Sequence, residues 1–197
     1  MLYQPNFING TFLGLNIMQN ERNAKRRKPM EKATIMLVDD EEFVISSIKR
    51  SLRKEGYQFL GYMDASRALE ALKTIEVDVI ISDQRMPGMT GMEFLIQARK
   101  LYPNTIRVLL TGHSDMEVAI KAINEGKLYR FLTKPWEENE LKVTILNALK
   151  LRRILTENRK LIEQVQEQQD YIQTLEHKYP GISKINRDST GAIILED

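Results

Sequence analysis

Short apolar runs alternate with amphipathic stretches from Ala33 onward, and this alternation limits the chain to few folds. In the longer stretches apolar residues recur every three or four positions, which is the spacing of one helix face. The short runs have the length and composition of buried strands. Five such strand–helix units end near position 150. The pattern therefore predicts an α/β fold, a doubly wound five-stranded parallel sheet with helices on both faces.

Local signals set the boundaries of these units. Asp64 and Thr90 are suited to cap the helices that follow them, and Gly126 can stop a helix. Segment 114–117 has the Ser-x-x-Glu form of a capping box. The predicted strands cover residues 34–38, 57–62, 77–82, 107–110 and 129–133. The predicted apolar helix faces include Phe43, Ile75, Leu101 and Val118.

Acidic, hydroxyl and ammonium groups stand where the predicted strands end. Asp39 and Asp40 follow the first strand, Asp83 follows the third, and Thr111 and Lys134 follow the fourth and fifth. Open α/β sheets bind and react at the carboxyl ends of their strands. Carboxylate oxygens suit a hard cation such as Mg²⁺, while a lysine and a hydroxyl can neutralise and orient phosphoryl oxygens. This set predicts a phosphorylatable aspartate, Asp83.

These five positions, in this order and on successive strand ends, resemble the receiver domain of two-component response regulators. The resemblance covers residues 33 to about 150 and includes the loop 83–91 and the segment Tyr-Arg-Phe-Leu-Thr-Lys-Pro-Trp at 129–136. It implies the flavodoxin-like, CheY-like receiver fold and Mg²⁺ as the cofactor. It also implies signalling, although the family does not settle the output. We expect no enzymatic action on a small substrate, because the acids serve self-phosphorylation and the sequence signals no separate substrate pocket.

The resemblance implies a role for each matching residue. Asp83 would accept a phosphoryl group from a histidine kinase or a phosphotransfer protein. Asp39, Asp40 and Asp83 would hold Mg²⁺ together with the backbone carbonyl of Arg85. After activation, the Thr111 hydroxyl would donate a hydrogen bond to a phosphoryl oxygen.

Further roles follow from the same resemblance. Lys134 would pair with the phosphoryl group, and its peptide bond to Pro135 is expected to be cis. Phe131 stands at the position of the aromatic switch residue, which turns inward on activation. Arg85 and His113 would modulate the attack of water on the acyl phosphate, and bulky cationic groups there predict slow dephosphorylation. As a lone histidine, His113 could equally be a hydrogen-bonded bystander.

Basic residues gather near the amino terminus. Residues 1–29 carry a net charge of +4 within a total of +2, so the remainder carries −2. We interpret 1–29 as a flexible basic extension, which is either a solvated tail or a stretch translated before a start at Met30. The alternative is that the basic run 22–28 is an arm that binds nucleic acid or an acidic partner. The slightly acidic remainder gives no reason to expect nucleic acid as a partner. Asp78, inside a predicted strand, is interpreted as an ordinary surface acid.

The last predicted helix runs from about 137 to 178 without glycine or proline, past the end of a receiver domain. We therefore divide the chain into a receiver domain (30–150), a helical coiled-coil extension (151–178) and a tail (179–197) that could form a small hairpin. We expect a homodimer through 151–179; a helix folded back on its own receiver is the alternative. The heptad a positions are Leu151, Asn158, Val165, Ile172 and Tyr179, and the d positions are Ile154, Leu161, Gln168 and Leu175.

Composition narrows the remaining function classes. The chain has no cysteine, which excludes disulfides and thiol chemistry. No apolar run approaches the ~20 residues of a membrane span, so we expect a cytoplasmic protein. No helix-turn-helix, ATPase or phosphodiesterase segment follows the receiver. The sequence therefore predicts a response regulator that signals to an unknown downstream partner through protein contacts and a dimerising helix. An intermediate phosphate carrier in a multistep phosphorelay is the alternative.

Overall fold

A parallel five-stranded sheet forms the centre of the computed structural model, which describes residues 32–180. Its strands are β1 (Thr34–Val38), β2 (Gln58–Tyr62), β3 (Val79–Asp83), β4 (Ile106–Thr111) and β5 (Arg130–Thr133). The strand order is β2-β1-β3-β4-β5, so the chain first moves to one side of β1 and then crosses to the other. This order confirms the predicted doubly wound α/β fold.

Helices cover both faces of the sheet. They are α1 (Glu42–Ser51), α2 (Ala65–Ala71), α3 (Gly91–Leu101), α4 (Met116–Asn124) and α5 (Glu138–Lys178), with a 3-10 turn at His113–Asp115. Because both faces are covered, β3 and β4 are buried along their whole length. Continuous apolar runs are typical of strands in this position.

Successive side chains of each strand enter two separate cores, because alternate residues of a strand point to opposite faces. α1 and the first part of α5 cover one face, and α2, α3 and α4 cover the other. The first core includes Ile35, Leu37, Ile81, Val108 and Leu110, and the second includes Met36, Val38, Ile80, Phe94 and Leu109.

The predicted caps of α2 and α3 are present. Asp64 Oδ1 accepts a hydrogen bond from the backbone N–H of Arg67 at 2.8 Å. Thr90 and Glu93 form a reciprocal capping box at the start of α3, so backbone donors of the first turn are satisfied. Gly126 follows α4 with a φ of 66°, a conformation that favours glycine and ends the helix there.

The capping box predicted at 114–117 is wrong. Asp115 occupies the N-cap position of α4 but makes no side-chain cap hydrogen bond. The Ser114 hydroxyl instead accepts a hydrogen bond from the guanidinium of Arg85, 2.7 Å away. A contact between two loops has replaced the local cap that the sequence pattern indicated.

Four residues predicted on apolar helix faces are exposed instead. Ile75 lies beyond the end of α2, and Leu101 is the last residue of α3, so neither has a turn of helix to hold it against the sheet. Phe43 and Val118 are 75% and 52% exposed because they lie on the outer sides of α1 and α4. The buried residues of those two turns are the next ones along the chain, Val44 and Ala119.

α5 packs on the sheet through its first part and then leaves it. Leu141 and Ile145 are fully buried in the core that α5 shares with α1. Farther along, Arg152 is only 8% exposed. Its guanidinium forms ion pairs with Glu76 and with Asp78, the second with 3.6 Å between Nε and Oδ1. We call Arg152, Glu76 and Asp78 the Arg152 clasp.

The interpretation of Asp78 as an ordinary surface acid is wrong. Its Oδ2 accepts a hydrogen bond from the backbone N–H of Thr34 at 2.9 Å, where β1 begins. Its Oδ1 faces Arg152 of α5. Asp78 therefore joins β1, the segment before β3 and α5 at the amino end of the sheet.

Several apolar residues of α5 beyond Arg152 are not covered by the receiver, although Leu155 still packs against the core that α5 shares with α1. Ile154, Leu161, Val165 and Ile172 are between 50% and 58% exposed. Over residues 32–180 the helix is thus not folded back on the sheet, and none of the helices is long and apolar enough to cross a bilayer. The basic extension predicted at 1–29 and the hairpin predicted after position 180 lie outside the described residues.

Candidate phosphoacceptor site

The sheet brings the predicted site residues to one edge. β1 and β3 are paired neighbours, so Asp39 and Asp83, at their carboxyl ends, come side by side. β4 lies on the other side of β3 and ends in Thr111. Lys134 directly follows β5, where its backbone N–H donates to the Thr111 carbonyl oxygen at 2.8 Å. Four polar side chains from distant parts of the chain thus share one end of the sheet.

The ammonium of Lys134 lies between the two carboxylates. Its Nζ is 2.7 Å from Asp39 Oδ2 and 2.5 Å from Asp83 Oδ1. The Asp39 and Asp83 side chains are 2% and 8% exposed, whereas that of Lys134 is 24% exposed. We call these three residues the site cluster. With two acids and one base, it carries one more negative than positive charge when all three are ionised.

Backbone groups orient the remaining oxygens of both carboxylates. Asp39 Oδ1 accepts a hydrogen bond from the backbone N–H of Glu41 at 2.9 Å. Asp83 Oδ2 accepts one from the backbone N–H of Arg85 at 2.6 Å. In each case the donor lies two residues after the acid, so the loop that leaves the strand fixes the carboxylate.

Burial and ion pairing oppose each other in the site cluster. Burial raises the pKa of Asp39 even though Lys134 and the Glu41 N–H stabilise its charged form. Burial alone would lower the pKa of Lys134, but its hydrogen bonds to Asp39 and Asp83 outweigh burial, and the pKa of Lys134 is raised. Lys134 is therefore a cation at neutral pH.

Thr111 and Phe131 lie beside the cluster without contributing to it. Thr111 is fully buried, and its hydroxyl donates to the Gly112 carbonyl oxygen at 3.1 Å. Phe131 is partly buried on the face covered by α2, α3 and α4. The peptide bond between Lys134 and Pro135 is cis, as predicted.

Gly91, where α3 begins, approaches the backbone of Asp83 too closely for any side chain. A Cβ atom there would lie 1.9 Å from the Asp83 carbonyl oxygen. Its N–H donates to the Gln84 carbonyl oxygen at 3.0 Å, and the Gln84 side chain accepts from the backbone N–H of Met92 at 3.2 Å. The sequence analysis gave 83–91 as a loop that resembles those of receivers, but it missed the close approach of Gly91 to the Asp83 backbone where α3 begins.

The side chain of Arg85 crosses from the loop after β3 to the loop after β4. Its Nε is 2.8 Å from Asp115 Oδ2, and a terminal nitrogen is 2.7 Å from Ser114 Oγ and 3.2 Å from Asp115 Oδ1. His113 begins the 3-10 turn that carries these partners. No signal in the sequence pairs Arg85 with Asp115, since thirty positions separate them.

Asp39 and Asp83 have the chemistry of a site for a hard cation. Asp40, the third predicted ligand, is half-buried next to them. Within residues 32–180 no three His, Cys, Asp or Glu side chains converge closely enough to hold a metal ion. Mg²⁺ commonly takes one or two carboxylates and keeps several waters. The two carboxylates of Asp39 and Asp83 therefore fit Mg²⁺, without a preformed cluster of three carboxylates.

Residues 35–146, more than half of the chain, match the family model of the response regulator receiver domain. The chain belongs to this family. Receiver domains are signalling domains of two-component systems, and phosphorylation and Mg²⁺ binding are general properties of the family.

The chain is similar to curated regulatory proteins and to solved structures of receiver domains. Hydrogenase transcriptional regulatory protein HoxA of Cupriavidus necator is 36% identical over 119 residues, 60% of this chain and 24% of that protein. A solved structure of an uncharacterised protein from Neptuniibacter caesariensis is 41% identical with a TM-score of 0.62, over 64% of this chain and 93% of that one. A receiver domain protein from Clostridium thermocellum is 32% identical with a TM-score of 0.59, over 62% and 98%. The chain spans about a quarter to a third of the length of the curated relatives it matches.

Proposed function

We propose that this protein is a response regulator whose phosphoacceptor is Asp83, phosphorylated by a histidine kinase or a phosphotransfer protein. A carboxylate oxygen of Asp83 attacks phosphorus, and the bond from phosphorus to the donor's histidine nitrogen breaks with its electron pair left on nitrogen. Lys134 offsets the charge of the transferred group. Mg²⁺, when held by Asp39, Asp83 and the Arg85 carbonyl with Asp40 beside them, supplies further positive charge.

The position of Lys134 between two buried carboxylates is the observation that supports this proposal most. A structural ion pair needs one acid for one base, and an extra buried carboxylate is unfavourable because burial penalises its charge. An excess of acid is favourable where a divalent cation binds, and the bound cation can then offset the charge of an added phosphoryl group. Perturbed ionisable groups gather at functional sites for such reasons.

Thr111 and Phe131 would convert phosphorylation into a change of surface. The Thr111 hydroxyl, which now donates to Gly112, would donate to a phosphoryl oxygen of phospho-Asp83. The Phe131 side chain would then turn inward, which would alter the surface formed by α4, β5 and α5. A downstream protein that binds this surface would then distinguish the two states.

The second half of α5 would join two copies of the chain. We assign residues 30–150 to the receiver and 151–178 to a coiled-coil extension, with a homodimer through 151–179. Five exposed apolar residues of this segment stand at heptad a and d positions, namely Ile154, Leu161, Val165, Ile172 and Tyr179, whereas exposed Ile162 and Tyr171 do not. Pairing two such helices removes the stripe from water, which is favourable for apolar side chains. Output would be a protein contact in the cytoplasm, without nucleic acid or a small substrate.

Phosphotransfer to the purified chain tests the assignment of Asp83. With acetyl phosphate as phosphoryl donor and Mg²⁺, intact mass spectrometry should detect one added phosphoryl group. Asp83→Asn should remove it, whereas the matched control Asp78→Asn, at the other end of the sheet, should keep it. Phosphorylation of Asp83→Asn would refute the assignment. Rapid return of the group to a histidine phosphotransfer protein would favour the intermediate carrier over a terminal regulator.

Light scattering with Mg²⁺, with and without beryllofluoride as a mimic of the phosphoryl group, tests the homodimer. A dimer in both states would mean that the coiled coil holds the chains together permanently. A dimer only with beryllofluoride would mean that phosphorylation controls dimerisation. A monomer in both states refutes the coiled-coil pairing. Leu161→Lys, in the exposed part of α5, should weaken any dimer without changing the receiver fold.

A further inference from the structure

The exposed second half of α5 carries its charges unevenly. Residues 153–160 contain three basic residues and one acid, whereas residues 161–178 contain four acids and one lysine. Two such helices that run in the same direction bring like charges side by side. Two that run in opposite directions bring the basic segment of one copy beside the acidic segment of the other. The preference is modest, because these side chains are exposed and some already pair within their own helix.

The apolar seam of this segment, formed by its heptad a and d residues from 154 to 172, selects one antiparallel register. In an antiparallel pair each a residue meets a d residue of the second copy. One register makes the pairs Leu161 with Val165, Ile154 with Ile172, and Asn158 with Gln168. Apolar residues then meet apolar residues, and the two amides meet each other. A shift by one heptad in either direction sets both amides against apolar side chains, which is unfavourable for buried polar groups.

Ile162 distinguishes the two directions. It is 58% exposed and stands at heptad e, beside the seam. In a parallel pair an e residue lies beside a g residue of the second copy, which for Ile162 is Glu157. In the antiparallel register the twofold axis passes close to position 163, so the Ile162 side chains of the two copies lie next to each other. Only the antiparallel pair therefore shields Ile162 from water with an apolar neighbour at its flank.

We propose that the exposed part of α5 docks antiparallel on α5 of a second copy of this chain, with the twofold axis beside Ile162. This inference rests on the proposed homodimer and adds its direction and its register. The two receivers then lie at opposite ends of the pair. The seam from 154 to 172 separates the points where the helices leave their receivers by about 27 Å, at about 1.5 Å per residue. The receivers of one dimer therefore do not face each other.

Cross-linking through introduced cysteines tests the direction, because the chain has no cysteine of its own. Full-length Ile154→Cys and Ile172→Cys are purified separately, mixed in equal amounts, oxidised mildly and analysed by intact mass spectrometry. A disulfide needs Cα atoms about 4.4 to 6.8 Å apart. The antiparallel pair predicts the mixed disulfide and none in either variant alone. Ile154→Cys mixed with Thr174→Cys, whose new thiol lies outside the seam, is the matched control and should give no disulfide.

Charge at position 162 supplies a second readout. Ile162→Lys removes two isoleucines from the interface and sets two like charges beside the twofold axis. The dissociation constant of the dimer, measured by sedimentation, should rise at least about tenfold. An equal mixture of Ile162→Lys and Ile162→Glu should recover most of the affinity, because opposite charges then meet. In a parallel pair the lysine would lie beside Glu157 and the dimer would be at least as tight as that of the unaltered chain.

Three outcomes would overturn the proposal. Disulfides in Ile154→Cys or Ile172→Cys alone, or a tighter dimer of Ile162→Lys, would show a parallel pair and leave the proposed homodimer in place. The absence of the mixed disulfide in a chain that light scattering shows to be a dimer would place the contact elsewhere. If the unaltered chain is a monomer with and without beryllofluoride, the proposed homodimer itself fails, and its direction fails with it.

Discussion

The site cluster and the Arg152 clasp stand at opposite ends of the same sheet, and they handle charge in opposite ways. In the site cluster two carboxylates, 2% and 8% exposed, share one lysine. In the clasp one arginine, whose side chain is 10% exposed, is shared by two acids that are 58% and 36% exposed. The site therefore buries excess negative charge, whereas the clasp leaves its extra acid in water.

This difference is the one expected between a candidate functional cluster and a structural one. A buried charge without a full partner opposes folding, because its desolvation is not repaid by pairing. The clasp avoids that penalty because its acids are partly exposed to water. Asp78 also accepts a hydrogen bond from the Thr34 N–H, and both acids pair with Arg152 of α5. The site cluster carries that penalty, and a divalent cation bound there would offset the excess negative charge. Opposite signs of stability change are expected when acids are removed from the two ends.

Removal of the shared base should have the largest effect. Lys134→Met leaves two buried carboxylates unpaired and should lower the free energy of unfolding by about 3 kcal/mol without metal at pH 7. Arg152→Met leaves acids that water can reach, so a loss of about 1 kcal/mol is expected. Urea unfolding in EDTA measures both. Equal losses would show that the two clusters do not differ as described.

Removal of an acid from the site cluster should stabilise the protein, whereas removal of an acid from the Arg152 clasp should destabilise it. Asp39→Asn leaves a balanced pair of Lys134 and Asp83, and should raise the free energy of unfolding by on the order of 1 to 2 kcal/mol, because a buried carboxylate without its own partner is removed. Asp78→Ala, which loses its bonds to Thr34 and Arg152, should lower it by about as much. A loss of stability in Asp39→Asn would contradict the charge argument.

The increase in the free energy of unfolding caused by Asp39→Asn should grow as the pH rises. Burial raises the pKa of Asp39 above its ordinary 3.8, so the folded protein holds this proton more tightly than the unfolded chain. Ionisation of Asp39 therefore opposes folding as pH rises. The gain should be absent well below pH 3.8 and complete above the pKa of the folded protein, which unfolding curves over a pH series would record.

Mg²⁺ should increase the stability of the folded protein by binding to the site cluster, and it should not act on the Arg152 clasp. At ten times its dissociation constant, a ligand of the folded state adds about 1.4 kcal/mol to the free energy of unfolding. This gain is expected in the unaltered chain and in Arg152→Met, and it should be lost in Asp83→Asn. Thermal melts over a Mg²⁺ series give the comparison. An undiminished gain in Asp83→Asn would place the cation elsewhere.

The smallest effect is expected at the exposed end of the clasp. Glu76 pairs with Arg152 but is 58% exposed, so Glu76→Gln should lower the free energy of unfolding by only about 0.5 kcal/mol. High salt should shrink that difference, because it screens exposed charges. A loss above 2 kcal/mol that persists in salt would mean that Glu76 behaves as a buried partner.

Sequence reasoning succeeded where the signal was local or repeated. Strand and helix order, the caps at Asp64 and Thr90, and the end of α5 at Lys178 follow from residue spacing and capping chemistry. It failed at the Ser114 cap because a hydrogen bond from Arg85 competes for the same hydroxyl. The outward side chains of α1 and α4 were misassigned, since a short helix leaves its buried face uncertain by one residue.

The sequence by itself determined the fold and the set of groups at the strand ends, because strand order and alternation need only the pattern along the chain. Only the tertiary structure decided which of those groups meet. Lys134 reaches Asp39 across 95 positions, Arg85 reaches the Ser114–Asp115 turn across 30, and Arg152 reaches Glu76 across 76. Such pairs depend on sheet register and helix packing, which no local propensity encodes. For that reason the members of the site cluster were visible in the sequence, while the contact of Arg85 with the Ser114–Asp115 turn and the Arg152 clasp were not.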